Sequence, residues 1–299
     1  MKTKLLLILF AASFAGSCKK SDKHSDLPKE EFIQLQQMEH ENGLIRFQYN
    51  EQNQLTKVEQ LERIGDGSVF QPYQYTNFTW TNGIVTKADL YDRSESGNLF
   101  YKRTSCKYVA DAQKRIAYIA RTLYFENGNV DRKDTVEFTF NASSQLVGVE
   151  FSGENYHAYS YDARGNFMPD DLQEINDDEV YSYSYDFRYD NKPNPFASKG
   201  LGLYVFSVYF NEPFLVNQLL SKNNPVYAKT TLGHTIIADN DVPVYSLENS
   251  YTSEFTNSFD TNGALKETGL KYSYQRKENG HVADGYTEHT LLRFTCVKK

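Results

Sequence analysis

The sequence predicts an all-β protein. The expected architecture is a large antiparallel β-barrel or strongly curved meander sheet built from repeated hairpins, with one short helix near 213–222. Three observations predict it. The 299 residues carry 23 Tyr and 20 Phe, large rings that suit a pleated, half-buried surface. Apolar and polar residues alternate along the segments between turns, as in a sheet with one buried and one wet face. One turn motif recurs: FQYNEQNQL from Phe47, FTFNASSQL from Phe138, YSYDARGNF from Tyr159 and NSFDTNGAL from Asn257.

The N-terminus reads as an export signal over residues 1–17. Met1-Lys2-Thr3-Lys4 is its basic start, and Leu5 to Phe14 is an apolar run too short to span a bilayer permanently. Ala15-Gly16-Ser17 then precede Cys18. These residues resemble the lipobox of bacterial lipoproteins, which implies cleavage before Cys18 and thioether lipidation of Cys18; an ordinary export signal is the alternative. Residues 18–37 are polar and charged, and read as a flexible tether whose end forms a short helix or a first strand. Residues 38–299 are expected to form a single β-barrel domain.

Within that domain the motif has a mechanism. Residues two apart on a strand share a face, so Phe47/Tyr49, Phe78/Trp80, Phe138/Phe140, Tyr159/Tyr161 and Tyr272/Tyr274 each set two rings on one side. Asn50, Asn141, Asp162 or Asp260 follows and opens a turn by accepting hydrogen bonds from the backbone just downstream. Asn53, Ser144, Gly165 or Gly263, three positions on, takes the left-handed conformation that closes it. Leu55, Leu146, Phe167 or Leu265 re-enters on the aromatic face. FTWTNGI, from Phe78, is a shorter version, and YDFRYDNKPNPF, from Tyr185, a modified one. Roughly a dozen or more strands follow, and a sheet that wide curls or closes to remove its edges. The pattern breaks at 201–210, which is almost continuously apolar, and at 211–226, where Asn211, Pro213 and the Leu215, Leu219, Leu220 stripe predict the helix. Asn223-Asn224-Pro225 should stop it, with strands resuming near Tyr227.

The lipobox, the tandem YD-like turns and Asn194-Pro195-Phe196 together resemble a family of bacterial lipoproteins with a domain of unknown function and a porin-like β-barrel fold. The turns are also similar to the YD repeats of large secreted toxins and wall-associated proteins. The resemblance implies a large barrel or curved sheet in a Gram-negative cell envelope. It implies no activity and no catalytic residue.

The net charge of −7, without a basic run, argues against nucleic acid as a partner. A membrane-spanning barrel needs an apolar outward band. Here the face opposite the aromatics carries Lys, Glu, Gln and Arg, so a tethered water-soluble barrel is the favoured reading over a pore. The acidic run Pro169–Glu179 lacks calcium-loop spacing and reads as a solvated long loop. Asp239-Asn240-Asp241 is shorter still, and the six histidines show no zinc spacing. Cys106 and Cys296 are either a disulfide or two buried free thiols. Asp134-Thr135-Val136 resembles a short acceptor for O-glycosylation. The tyrosines suit sugar or peptide surfaces, but filling of a wide interior is the favoured reading.

The expectation is therefore an outer-membrane-anchored lipoprotein, periplasmic or surface-exposed, acting as a non-catalytic binding or structural module. Its membrane contact runs through the lipid on Cys18 alone, and its ligand is a glycan, small molecule or protein. No catalytic, cofactor-binding or metal residue is expected. An envelope carbohydrate hydrolase with an unrecognised carboxylate pair is the first alternative, and an outer-membrane pore the second.

Overall fold

The structure is a computed structural model that describes residues 32–40, 43–65, 69–94, 99–152, 154–169, 171–176, 179–209, 219–237 and 243–299. The export signal, Cys18, the tether up to Glu31, and Asp239 to Asp241 lie outside the described residues. Residues 32–299 form one compact unit. Ile33–Gln37, the end of the predicted tether, pair as the first strand.

Among the described residues sixteen strands make one antiparallel sheet. In chain order they are β1 (Ile33–His40), β2 (Gly43–Tyr49), β3 (Leu55–Ile64), β4 (Val69–Thr81), β5 (Ile84–Arg93), β6 (Phe100–Ala110), β7 (Ile116–Tyr124) and β8 (Val130–Phe140). Then follow β9 (Leu146–Phe151), β10 (Glu154–Ala158), β11 (Leu172–Asn176), β12 (Glu179–Pro193), β13 (Asn223–Ile237), β14 (Pro243–Phe259), β15 (Leu265–Glu278) and β16 (His281–Lys298). Each pairs with its chain neighbour, and β1 also pairs with β16, so β10 and β11 are left as the two edges. The sheet is the curved meander of the two predicted forms, not a closed barrel. Its edges meet at one bridge, Tyr161↔Phe167, beside which the Met168 amide donates to the Ser160 carbonyl at 2.8 Å. Pro169 follows, and a residue with no N–H cannot carry the ladder further.

The recurring turn holds in every predicted instance. At Asn50, Asn141, Asp162 and Asp260 the side-chain oxygen accepts the amides two and four residues on, at 2.8–3.1 Å. The closing residues Asn53, Ser144, Gly165 and Gly263 have φ of 59, 59, 85 and 78°. Tyr49↔Leu55, Phe140↔Leu146 and Phe259↔Leu265 then pair across a bulge. Asp111 opens a further copy, closed by Lys114 at φ 63°, which the sequence pattern did not flag because Ala110 replaces the ring. Asn82-Gly83 makes a two-residue turn with φ of 53 and 78°.

These turns lie at one end of the sheet, where a second device ties neighbouring units. A side chain from one unit donates to the carbonyl of the re-entry residue in the unit before it. Trp80 Nε1 reaches Leu55 O at 2.7 Å, Tyr161 Oη reaches Leu146 O at 2.8 Å, and Tyr189 Oη reaches Phe167 O at 2.5 Å. Tyr49 Oη meets Leu35 O at 2.7 Å in the same way, and Cys296 Sγ points to Leu265 O at 3.6 Å.

The segment after β12 covers this end. Its 3₁₀ turn, Pro195–Gly200, leads into helix α1, Leu201–Tyr209. The helix was not anticipated: an almost continuously apolar run reads equally as buried strand or buried helix. Of the helix expected near 213–222, residues 210–218 lie outside the described residues, while Leu219 and Leu220 are helical. Asn223-Asn224-Pro225, expected as a stop signal, begins β13. Phe196 meets Phe47 edge-on at 6.2 Å, Tyr204 meets Trp80 at 5.1 Å, and Tyr108 Oη bonds Ser207 Oγ at 2.8 Å. The core is this contact layer: Leu35, Val58, Phe78, Val85, Ile119, Val136, Phe138 and Val149 pack with Leu201, Val205 and Leu219. Gly202 is required there, because a Cβ would stand 1.7 Å from Leu219 O.

Candidate functional site: an uncovered tyrosine face

The core face of the sheet continues onto β12–β16, where strand length sets a different environment. These strands run 14–18 residues, against 6–13 for β2–β9. Register fixes which side chains share the face. Asn257, Thr268 and Leu292 form one cross-strand row, with Thr268 buried and Leu292 packed on the core. Counting by twos toward the far end of the strands leads to the row Phe187, Ala228, Ser253, Tyr272 and Glu288. The next row is Tyr185, Thr230, Tyr251, Tyr274 and Tyr286, and the one after it Tyr183, Leu232, Asn249, Arg276 and Asp284. Tyr181, His234, Leu247 and Glu278 come last.

The rings form a continuous band. Tyr251 and Tyr274 are 5.2 Å apart at 38°, Tyr274 and Tyr286 5.4 Å at 42°, and Tyr272 and Tyr286 6.0 Å at 50°. Tyr181 stacks on His234 at 4.5 Å and donates to Glu179 at 2.6 Å. The band is half-exposed, and Tyr286 is 50% exposed. Burial, then Tyr286, Tyr251 and Glu288 beside it, push the Tyr272 hydroxyl up to about 12, so it stays a protonated donor. Tyr274 Oη donates to Asn249 Oδ1 at 2.9 Å, and Arg276 pairs with Glu278. Among the described residues Arg276 Nε on this face has no hydrogen-bond partner, and His234 Nε2 lies 3.5 Å from Glu179 Oε2.

The other predicted features fall elsewhere. Pro169–Glu179 is not a solvated long loop: Leu172–Asn176 pair with Glu179–Tyr183, and Asp171 Oδ1 accepts the Tyr185 amide at 2.9 Å. Cys106 and Cys296 are free thiols with β1–β5 between their strands. Burial pushes both up to about 12, away from nucleophilic chemistry. Thr135 lies within β8, its amide held by Ser152 Oγ at 3.2 Å. Among the described residues no group of three His, Cys, Asp or Glu converges to hold a metal. A shallow cleft of about 220 Å³ beside Tyr49, Asn50 and Lys299 is bordered by amides that bond one another, Gln36 Nε2 to Gln34 Oε1 at 2.8 Å among them.

Among the described residues, fold and site thus define an antiparallel meander sheet whose inner surface is packed in one region and uncovered in another. No protein-family model and no curated protein matches the chain. Solved structures with a likeness include a porin-like protein from Bacteroides uniformis, 13% identical with a TM-score of 0.46, covering 88% of this chain and 98% of that one. A porin-like protein from Bacteroides vulgatus is 11% identical with a TM-score of 0.35 and the same 88% and 98% coverage. A protein of unknown function from Bacteroides fragilis is 14% identical with a TM-score of 0.26, covering 45% of this chain and 89% of that one. These likenesses are distant and carry no functional argument.

Proposed function

We propose that the protein is a non-catalytic binding module of the cell envelope, held to the outer membrane by lipid on Cys18. The uncovered tyrosine face carries the reading. A half-exposed band of rings with polar edges serves contact with something outside the chain better than it serves the protein's own core. The opposite face supports a tethered protein over a pore. Arg46, Lys87, Lys107 and Glu137 stand exposed there, where a spanning barrel would meet lipid. The hydrolase alternative draws no support from the half-buried carboxylates Asp134, Asp89 and Glu59, which are engaged by Arg121 at 2.5 Å, Lys87 at 2.6 Å and Lys57 at 2.8 Å.

Two measurements test this. The natural chain should partition with membranes and be released by detergent, while Cys18→Ala should be soluble; carbonate-resistant retention of that variant would count for a pore. Tyrosine nitration should be weaker at Tyr274 and Tyr286 in intact cells than in the purified protein. Equal reactivity in both would remove the case for an occupied face.

A further inference from the structure

Resting on the binding-module reading, we propose that the tyrosine face of β14–β16 binds a neutral oligosaccharide, laid along the row Tyr251, Tyr274 and Tyr286. Sugar rings present C–H-rich faces edged by hydroxyls. An aromatic face is electron-rich and attracts the polarised C–H groups, and a tyrosine adds a hydroxyl that both donates and accepts. The three rings step across neighbouring strands at 5.2 and 5.4 Å, so they offer consecutive platforms and not one slot. Three adjacent strands span about 10 Å between the outer two, room for two or more sugar units in line.

The polar groups bordering the row select the chemistry. Tyr274 Oη donates a hydrogen bond to Asn249 Oδ1, and the Arg276 side chain on the next row is 42% exposed. Ligand hydroxyls can bond the exposed guanidinium and the tyrosine hydroxyls, whereas an aliphatic ligand would desolvate them at a cost. Glu278, Asp284 and Glu288 border the same rows, and Arg276 is already paired with Glu278. Carboxylates so placed repel phosphates and uronic acids. A compact cation is poorly matched as well, because the rings lie side by side along a sheet and do not surround one point.

The test uses the full-length protein on an array of neutral and acidic oligosaccharides, followed by calorimetry with the best neutral probe. Retention should be confined to neutral glycans. Tyr286→Ala, at an exposed position that the fold tolerates, should weaken binding about tenfold, the worth of one good ring contact. Tyr251→Phe should keep the stacking and lose less. An array with no neutral glycan retained would overturn the proposal, and so would unchanged affinity in a folded Tyr274→Ala/Tyr286→Ala protein. If in-cell nitration still shows the face protected while every glycan fails, the binding-module reading survives and the glycan assignment falls. If protection is absent too, both fall.

Discussion

The inner face of the sheet is one surface with two fates. On β2–β9 it carries Phe47, Phe78, Ile119, Val136 and Phe138, all buried beneath the 3₁₀ turn and α1 or by their neighbours. On the outer parts of β12–β16 the same face carries tyrosines, Asn249, Arg276 and His234, and stays half-exposed. The alternation of side chains is the same in both regions, and so is the turn that joins the strands. What differs is cover. The inserted segment covers the turn end of the short strands, whereas the long strands run well past it, and the positions left open there carry tyrosines beside Phe187, Leu232 and Leu247. A face exposed by design takes Tyr where a packed face takes Phe and Ile.

The strongest way to break this comparison is to make one chemical change in both regions. Ile119→Ala empties a fully buried site on β7 and should cost about 2–5 kcal/mol. Leu247→Ala on β14, half-exposed on the same face, should cost about 1 kcal/mol or less. Urea unfolding of both variants reads the difference directly. Equal losses would mean that the second region is packed after all.

The turns sharpen the comparison, because they should behave alike in both regions. Asp162→Ala removes the acceptor for the Arg164 and Asn166 amides, each at 2.9 Å, and should cost about 1 kcal/mol. Asp260→Ala, at the base of the second region, removes the same pair of bonds and should match it. Asp162→Asn keeps the two turn bonds, as Asn50 and Asn141 do, but sets Nδ2 against Asn166 Nδ2, which donates to Asp162 at 3.0 Å, and should cost less than Asp162→Ala at neutral pH. Acid separates them. Burial works upward on the Asp162 carboxyl, but the bonds from Asn166 and Arg164 and the nearby Arg164 charge outweigh it and hold the group low. A carboxylate lowered in the folded state contributes stability above its unfolded pKa and loses it as pH falls through the folded value. Stability measured from pH 6 down to 2 should therefore fall below about pH 4, and Asp162→Asn should shed its share of that slope.

These turns were legible because each is local. An Asn or Asp, a residue tolerant of positive φ, and a re-entering apolar residue all sit within seven positions. The copy at Asp111 escaped because its ring is replaced by Ala110, and the β11 strand escaped because Gln173 and Glu174 read as loop in an acidic run. Helix α1 was illegible for a different reason: an apolar run interrupted only at Gly202 and Ser207 has no clear period to distinguish strand from helix. The tyrosine face lay half in view. Tyr181, Tyr183, Tyr185 and Tyr189 alternate plainly, yet whether a ring is covered depends on where residues 195–209 pack, which no local pattern states.

Lys114 gives a smaller effect of opposite sign. It holds φ 63° at the position where Asp162 and Asp260 turns have glycine. The left-handed conformation costs an L-residue about 1–2 kcal/mol, part of which is offset by the extra freedom of glycine in the unfolded chain. Lys114→Gly should raise stability by about 0.5 kcal/mol, seen as a higher urea midpoint with an unchanged slope.

The smallest expected effect is the most discriminating. Tyr286 is 50% exposed on β16, within a stretch where both faces are open to solvent. Its ring lies tilted 5.4 Å from Tyr274 and 6.0 Å from Tyr272, to which it is also hydrogen-bonded. Tyr286→Ala should change unfolding stability by no more than about 0.5 kcal/mol. A ring that the fold does not need, standing in line with others that it needs little, has a role that folding alone does not explain. A large destabilisation would instead make the tyrosine band a second core and return the whole inner face to one purpose.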